Sequence, residues 1–402
     1  MTFKTLLKTA VAVAILTVAA PAMAAPAMVT PKAAVVGVPA SSVDAAGRKV
    51  AAWQLAHMDN FDYVPVSSFR KDTEAPRDWI QAAFYIGLYT FADATQDPYL
   101  TTAILKHGEA EQWDFDHRPR HADADATGAV WVWAAGRTKD QRKLTPIRAR
   151  FDAVLADPSN VSLDFEPKPA KGDPYCQVRW CWSDAIFMAP PAWVSLSKAT
   201  GDKRYLDHAD REFWATTDYL YDKTDHLYFR DSRFIKRRSE AGAKIFWGRG
   251  NGWAYAGIAR ILQDLPAHHP SRPKYEAIFK QMSAKIVTLQ GADGYWPVSL
   301  LEPQKTPETS GTGFFVYGLA WGVNHGLLSR AKYGPAIDKG WKAWDAAVEP
   351  DGRLGWVQRV GVAPDQVGRD DTQLYGVGAF LLSASEVRKL AQGSASKGQT
   401  SR

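Results

Sequence analysis

Apolar positions recur at intervals of three and four along most of the chain, and that period predicts helices. Twelve segments show it: about 45–58, 77–92, 98–112, 122–136, 141–156, 182–199, 203–220, 249–264, 272–290, 310–328, 332–348 and 372–391. Short turns with Gly, Asp or Pro separate them, and Tyr or Leu then opens the next segment. The clearest turns are Ala94-Thr95-Gln96-Asp97-Pro98-Tyr99 and Ala199-Thr200-Gly201-Asp202-Lys203-Arg204-Tyr205. Alternating patterns are scarce, and 226–236 is the best candidate for a short hairpin.

The helical segments sort into two kinds. Those starting near 77, 122, 182, 249, 310 and 372 are apolar and rich in small residues, whereas those at 98, 141, 203, 272 and 332 carry Lys, Arg and Glu on one face. Such a division suits an inner and an outer ring. The expected fold class is therefore all-α, with six helical hairpins closed into an (α/α)6 barrel. An open solenoid is the competing arrangement, but it calls for a stricter repeat length and polar caps, and neither is present.

The ends read differently from the body. Lys4 and Lys8 precede an apolar run, Thr9 to Ala20, and Ala22-Met23-Ala24 offers a small-x-small cleavage site. This is the pattern of a cleavable signal peptide over 1–24, cut after Ala24, which implies a secreted or periplasmic protein. Residues 25–43 read as a flexible N-terminus, 44–390 as one catalytic domain and 391–402 as a disordered tail.

Composition narrows the function. The net charge is +6 in 402 residues, too small for nucleic acid to be the expected partner. Beyond the leader no apolar run is long enough to span a bilayer, so no membrane partner is expected either. The 16 tryptophans suit a large core or flat faces for stacking on sugars. Cys176 and Cys181 are the only cysteines, and their spacing leaves a bridge and two thiols equally open. No metal or cofactor is expected, since two cysteines cannot build a zinc site and no HExxH pair occurs. A calcium loop starting at Asp123 would have Ala134 where its twelfth-position carboxylate belongs.

The unusual motifs all fall at the start of inner helices: Arg77-Asp78-Trp79, His121-Ala122-Asp123, Trp182-Ser183-Asp184, Trp247-Gly248-Arg249-Gly250-Asn251-Gly252-Trp253, Glu308-Thr309-Ser310 and Asp370-Asp371-Thr372. Parallel inner helices bring them to one mouth. Asp, Ser and Thr also cap helices, which is an equally good reading for Thr309, Ser310, Asp370 and Asp371. Asp184 is wrapped in Trp180, Trp182, Phe187 and Met188, more apolar bulk than a cap needs. Glycosidic cleavage commonly uses one protonated carboxyl and a second carboxylate, and Asp184 with Asp123 supplies the pair. Arg249 can grip a carboxylate, Asn251 can bond hydroxyls, and Trp253 can stack on a sugar face. Trp247, His121, Trp79, Glu308 and Thr309 complete the expected substrate contacts read from these motifs.

These motifs together resemble the unsaturated rhamnogalacturonyl hydrolases, glycoside hydrolase family 105, related to the unsaturated glucuronyl hydrolases. The resemblance rests on Trp247 to Trp253 and the helix after it, Ser183-Asp184-Ala185-Ile186-Phe187-Met188, His121-Ala122-Asp123, Pro307-Glu308-Thr309-Ser310-Gly311 and Tyr375-Gly376-Val377-Gly378. It implies the (α/α)6 barrel and an oligosaccharide partner ending in a 4,5-unsaturated uronic acid. It implies hydration of the C4=C5 bond, with Asp184 as acid/base, Asp123 as its partner, and Arg249 and Trp253 touching the unsaturated sugar. Many members carry a His in the segment matching Leu227 to Asp231, where this chain has Arg230. The departure implies an altered contact to the uronate or its neighbour, for example to a second acidic group. A conventional inverting glycosidase with Asp184 as acid and Asp123 as base is the alternative on the same barrel, and a non-catalytic sugar binder is another. The sequence assigns no linkage, leaving sugar or oligomeric state.

Overall fold

Several helix starts in this chain are set by side-chain caps. Asp97 accepts from the amides of Tyr99 and Leu100 (2.9 and 3.3 Å) ahead of Pro98, which opens the helix Pro98–Ala110. Asp202 does the same for Lys203–Leu220 through the Arg204 amide. Each satisfies N–H groups that a helix start leaves without partners. The computed structural model describes residues 37–64, 70–165, 175–303 and 306–399.

Six inner helices form a closed ring. In chain order they are Trp79–Thr95, Ala122–Thr138, Pro190–Thr200, Gly248–Asp264, Thr309–Asn324 and Leu374–Gln399. Each packs on the next, and the last packs on the first, which is the barrel expected from the periodicity. Closure demands close backbone approach. A Cβ on Gly87 would lie 2.2 Å from the Gly378 carbonyl, and one on Gly378 would lie 2.2 Å from the Ala83 carbonyl. Only glycine fits at that crossing. The outer helices Ala40–Leu55, Pro98–Ala110, Thr145–Ala156, Lys203–Leu220, Arg272–Ile286 and Arg330–Asp345 back the ring. The ring and its outer helices lie in one unit spanning residues 34–402. No helix among the described residues is long and apolar enough to cross a membrane.

Four expectations need correction. The segment 182–199 is not one helix: a single turn, Ala185–Met188, gives way to Pro190–Thr200. Pro190 and Pro191 lack the N–H groups that would continue the first turn. The expected hairpin at 226–236 is a two-residue ladder, Tyr221–Asp222 with Leu227–Tyr228, followed by the short helix Ser232–Ile235 capped by Asp231. The first outer helix begins at Ala40, inside the stretch expected to be flexible. The last helix runs to Gln399, through most of the expected tail, with Gly393 and Gly398 inside it. The expected signal segment 1–24 and residues 25–36 lie outside the described residues.

Candidate active site

Four inner-helix starts open onto a common cavity of about 520 Å³, within the range of small-ligand sites. Asp78 and Trp79 come from the first, His121 and Asp123 from the second, Trp182 and Asp184 from just before the single turn Ala185–Met188 ahead of the third, and Trp247, Arg249 and Trp253 from the fourth. Connecting segments add Arg118, Gln177 and Arg230. The floor is aromatic. Trp253 is 1% exposed and packs on Phe314 and Phe187, with ring centroids 4.2 and 4.7 Å away. Trp79 is half-buried and stacks on Tyr375 at 5.5 Å.

Asp184 is held from both sides. The Ser183 hydroxyl donates to it at 2.9 Å, and Arg230 Nε lies 3.9 Å from the same carboxylate oxygen. The Ser183 amide donates to the Arg230 carbonyl at 2.8 Å, which docks the segment after the small ladder beside the acid. Burial pushes the Asp184 carboxyl above its ordinary value, against the pull of Arg230 and Ser183. Trp182 lines the cavity and supplies part of that burial, whereas Trp180 turns away toward Trp193.

Asp123 sits on the facing helix, 3.6 Å from Arg118 and 3.5 Å from His121 Nδ1. Burial raises its carboxyl to about 7, with the Asp184 charge adding to the rise and Arg118 and Arg230 opposing it. Two like charges facing one cavity do not both ionise cheaply, which favours a proton shared by the pair. Sequence reasoning missed Arg118 and gave Asp78 no role of its own. Arg118 bridges Asp78 and Asp116 (3.0 and 2.9 Å) as well as reaching Asp123. Burial lifts Asp78 to about 8, against the pull of Arg118 and with Asp123 adding to the rise. Arg118 lies three residues before His121, in an irregular stretch without periodic signal.

Three expected contacts are absent from the cavity lining. Asn251 is 1% exposed, receives the Tyr228 amide (2.8 Å), and donates to the Tyr228 and Trp247 carbonyls (both 3.0 Å). It ties the small ladder to the fourth inner helix. Glu308 caps its own helix through the Ser310 and Gly311 amides at 2.9 and 2.7 Å. Thr309 donates to the Gly355 carbonyl at 2.9 Å. Residues 355–362 explain both displacements, for this segment crosses the last two helix starts and places Val360, Gly361 and Val362 in the lining instead. Asn251→Ala should therefore cost stability, about 2–4 kcal/mol from buried groups left unpaired, and chemical denaturation would measure it.

Arg249 lines the cavity but does not have its fork free. Its terminal nitrogens donate to the Gln358 and Arg359 carbonyls at 2.6 and 2.8 Å, and its guanidinium lies over Trp247 at 4.5 Å. The expected bidentate grip on a carboxylate is replaced by an anchor for the crossing segment. Arg249→Ala should consequently lower kcat/KM for free-acid and methyl-esterified substrates alike, and comparing the two ratios checks it.

The cysteines are bridged, Cys176 to Cys181, with both side chains buried. The bridge closes the turn carrying Gln177 immediately before Trp182 and Asp184. No group of three or more metal-ligating side chains occurs among the described residues.

Comparison with known proteins agrees with this geometry. Residues 48–391 match Glycosyl Hydrolase Family 88. An unsaturated 3S-rhamnoglycuronyl hydrolase of Alteromonas sp. (strain LOR) is 43% identical over 362 residues, 87% of this chain and 87% of the relative. An enzyme of the same name from Formosa agariphila is 37% identical over 366 residues, covering 89% and 93%. The solved glycosyl hydrolase family 88 structure from Bacteroides vulgatus superposes with a TM-score of 0.74 at 26% identity, covering 88% of this chain and all of that one. A glycoside hydrolase barrel with two carboxyls on one cavity is what the residues build, and the chain belongs to glycosyl hydrolase family 88.

Proposed function

We propose that the protein is an exo-acting hydrolase of 4,5-unsaturated uronic acid at the non-reducing end of lyase-generated oligosaccharides. The observation that carries this reading is the pair Asp123 and Asp184 on one cavity with Arg118, Arg230 and Arg249 above a tryptophan floor, where burial pushes both carboxyls toward holding a proton. A vinyl ether needs that proton. Asp184 delivers it to C4, water adds through oxygen at C5, and the water's proton returns to the carboxylate. The C5 hydroxyl makes a hemiketal; its opening breaks the C5–O5 bond and leaves a hemiacetal at C1, whose collapse to the aldehyde releases the neighbouring sugar with its proton. Arg230, 3.9 Å from Asp184, favours the carboxylate that exists between the two proton transfers. The relatives' name favours an unsaturated rhamnoglycuronyl substrate over a plain pectin fragment.

The reading includes export to the periplasm or medium. The leader pattern of residues 1–24 and the bridge between Cys176 and Cys181 support it, since such bridges persist in oxidising compartments. The functional test is a paired digest. Oligosaccharides with unsaturated ends should release their terminal sugar, and the same oligosaccharides with saturated ends should not; cleavage of both would favour the conventional inverting mechanism.

A further inference from the structure

The barrel is open at its other end as well. A cavity of about 420 Å³ lies toward the C-terminal ends of the inner helices, away from the catalytic mouth, and its size suits a small ligand. Inner helices of 17 residues rise about 25 Å from end to end, so one sugar unit does not reach both openings.

The walls combine a flat apolar face with polar groups that have bonding capacity left. Tyr89 and Trp133 stack at 5.4 Å with their planes 14° apart, and both are partly exposed. Trp133 Nε1 donates to Asp93 at 2.8 Å, which fixes the plane of the indole. Arg260 is 8% exposed and donates to the Phe187 carbonyl at 3.0 Å and to the Tyr89 hydroxyl at only 3.4 Å. Among the described residues no carboxylate lies within ion-pair distance of it, and a cation this deep usually has one. Asp264, one helical turn on, is committed to Lys198 at 2.7 Å instead. Tyr317, 1% exposed, lines the same cavity, and its hydroxyl has no hydrogen-bond partner among the described residues. Such groups are costly until something bonds them.

The ligand class follows from what the lining refuses. An apolar occupant would seal Arg260 and Tyr317 away with no new bonds. An anion would meet a charge-balanced lining, Asp93 and Asp264 against Lys198 and Arg260, and the negative ends of the helix dipoles. An uncharged ring rich in hydroxyls meets both demands, since its apolar face stacks on an indole and its hydroxyls donate and accept.

We propose that this opening is a second, non-catalytic carbohydrate site for a neutral sugar unit, held against Trp133 and Tyr89 and bonded by Arg260, Tyr317 and Asp93. On the exo-acting reading, a glycan held there raises the concentration of chain ends around the catalytic cavity. The binding itself does not depend on that reading.

Saturation-transfer NMR with the methyl glycosides of rhamnose, glucose and galactose tests the site. Wild type should bind at least one of them with a millimolar Kd. Trp133→Ala should weaken that binding at least about fivefold, because the stacking face is gone. Ala199→Trp adds bulk at an exposed position of the lining, removes no contact, and should abolish it. Neither residue lines the catalytic cavity, so both variants should keep wild-type kcat/KM on unsaturated disaccharides. Thermal melts show that both fold. Binding that survives unchanged in folded Ala199→Trp places the sugar elsewhere and overturns the site, as does the absence of binding by all three glycosides in wild type. Glucuronate bound in preference to the neutral glycosides overturns the assignment to an uncharged sugar. A fall in kcat/KM in step with lost binding puts the sugar in the catalytic cavity and also overturns the proposal. The exo-acting reading stands or falls separately, on the paired digest.

Discussion

Asp184→Asn should give a folded protein whose turnover of unsaturated oligosaccharides is at least ~10²-fold below wild type. The amide keeps the size of the acid and can still accept from the Ser183 hydroxyl, which bonds Asp184 at 2.9 Å. It cannot surrender a proton to carbon. Arg230 would lose the carboxylate that lies 3.9 Å away but keep its bond to Asp231, so the local frame should survive. Circular dichroism and a thermal melt matching wild type, together with the rate, decide the matter. A folded variant with near-native turnover would remove Asp184 from the chemistry.

Asp123→Asn should lose activity yet gain stability above neutral pH. The sign follows from proton binding. Asp123 holds its proton up to about 7 in the folded protein, against an ordinary value of 3.8, so the folded state binds it more tightly than the unfolded state across that window. Stability from this group is present at low pH and is lost as pH rises from about 4 to about 7. At pH 8 wild type bears the whole cost of a buried charge, about 1.4 kcal/mol for each tenfold tightening of proton binding, less what relaxation recovers. Asparagine carries no such cost. The melting temperature of the variant should exceed that of wild type at pH 8, and the gap should shrink or reverse at pH 5. Asp78, raised to about 8, adds to the wild-type decline with the same sign. Turnover by wild type should likewise fall above about pH 7, as the pair gives up its shared proton.

The ring of helices was legible because each inner segment is apolar and small-residue-rich over three or more turns, a signal that is local and redundant. Positions such as Gly87 and Gly378 belong to that pattern even though their partners are distant. The gathering of Asp123, Asp184, Trp247 and Trp253 followed from helix polarity alone. What escaped was set by irregular chain. Residues 355–362 have no period, yet they decide that Glu308 and Thr309 are structural and that Arg249 spends its fork on carbonyls. Asn251 looks like a sugar ligand by residue type and by its glycine neighbours, and only the nearby Tyr228 backbone reveals its role. Arg118 and Gln177 lie in connections just ahead of motif-bearing helices, so the stretch before each inner helix merits the scrutiny given to the helix start itself.

The central claim is that water adds across C4=C5 and that sugar release follows from it. The direct measurement follows the ultraviolet absorbance of the unsaturated uronate and the appearance of the leaving sugar in the same reaction. Hydration predicts that absorbance falls no later than the sugar appears, in wild type and not in Asp184→Asn. Leaving sugar that accumulates while the absorbance persists would contradict the account, because it would place the attack at the anomeric carbon.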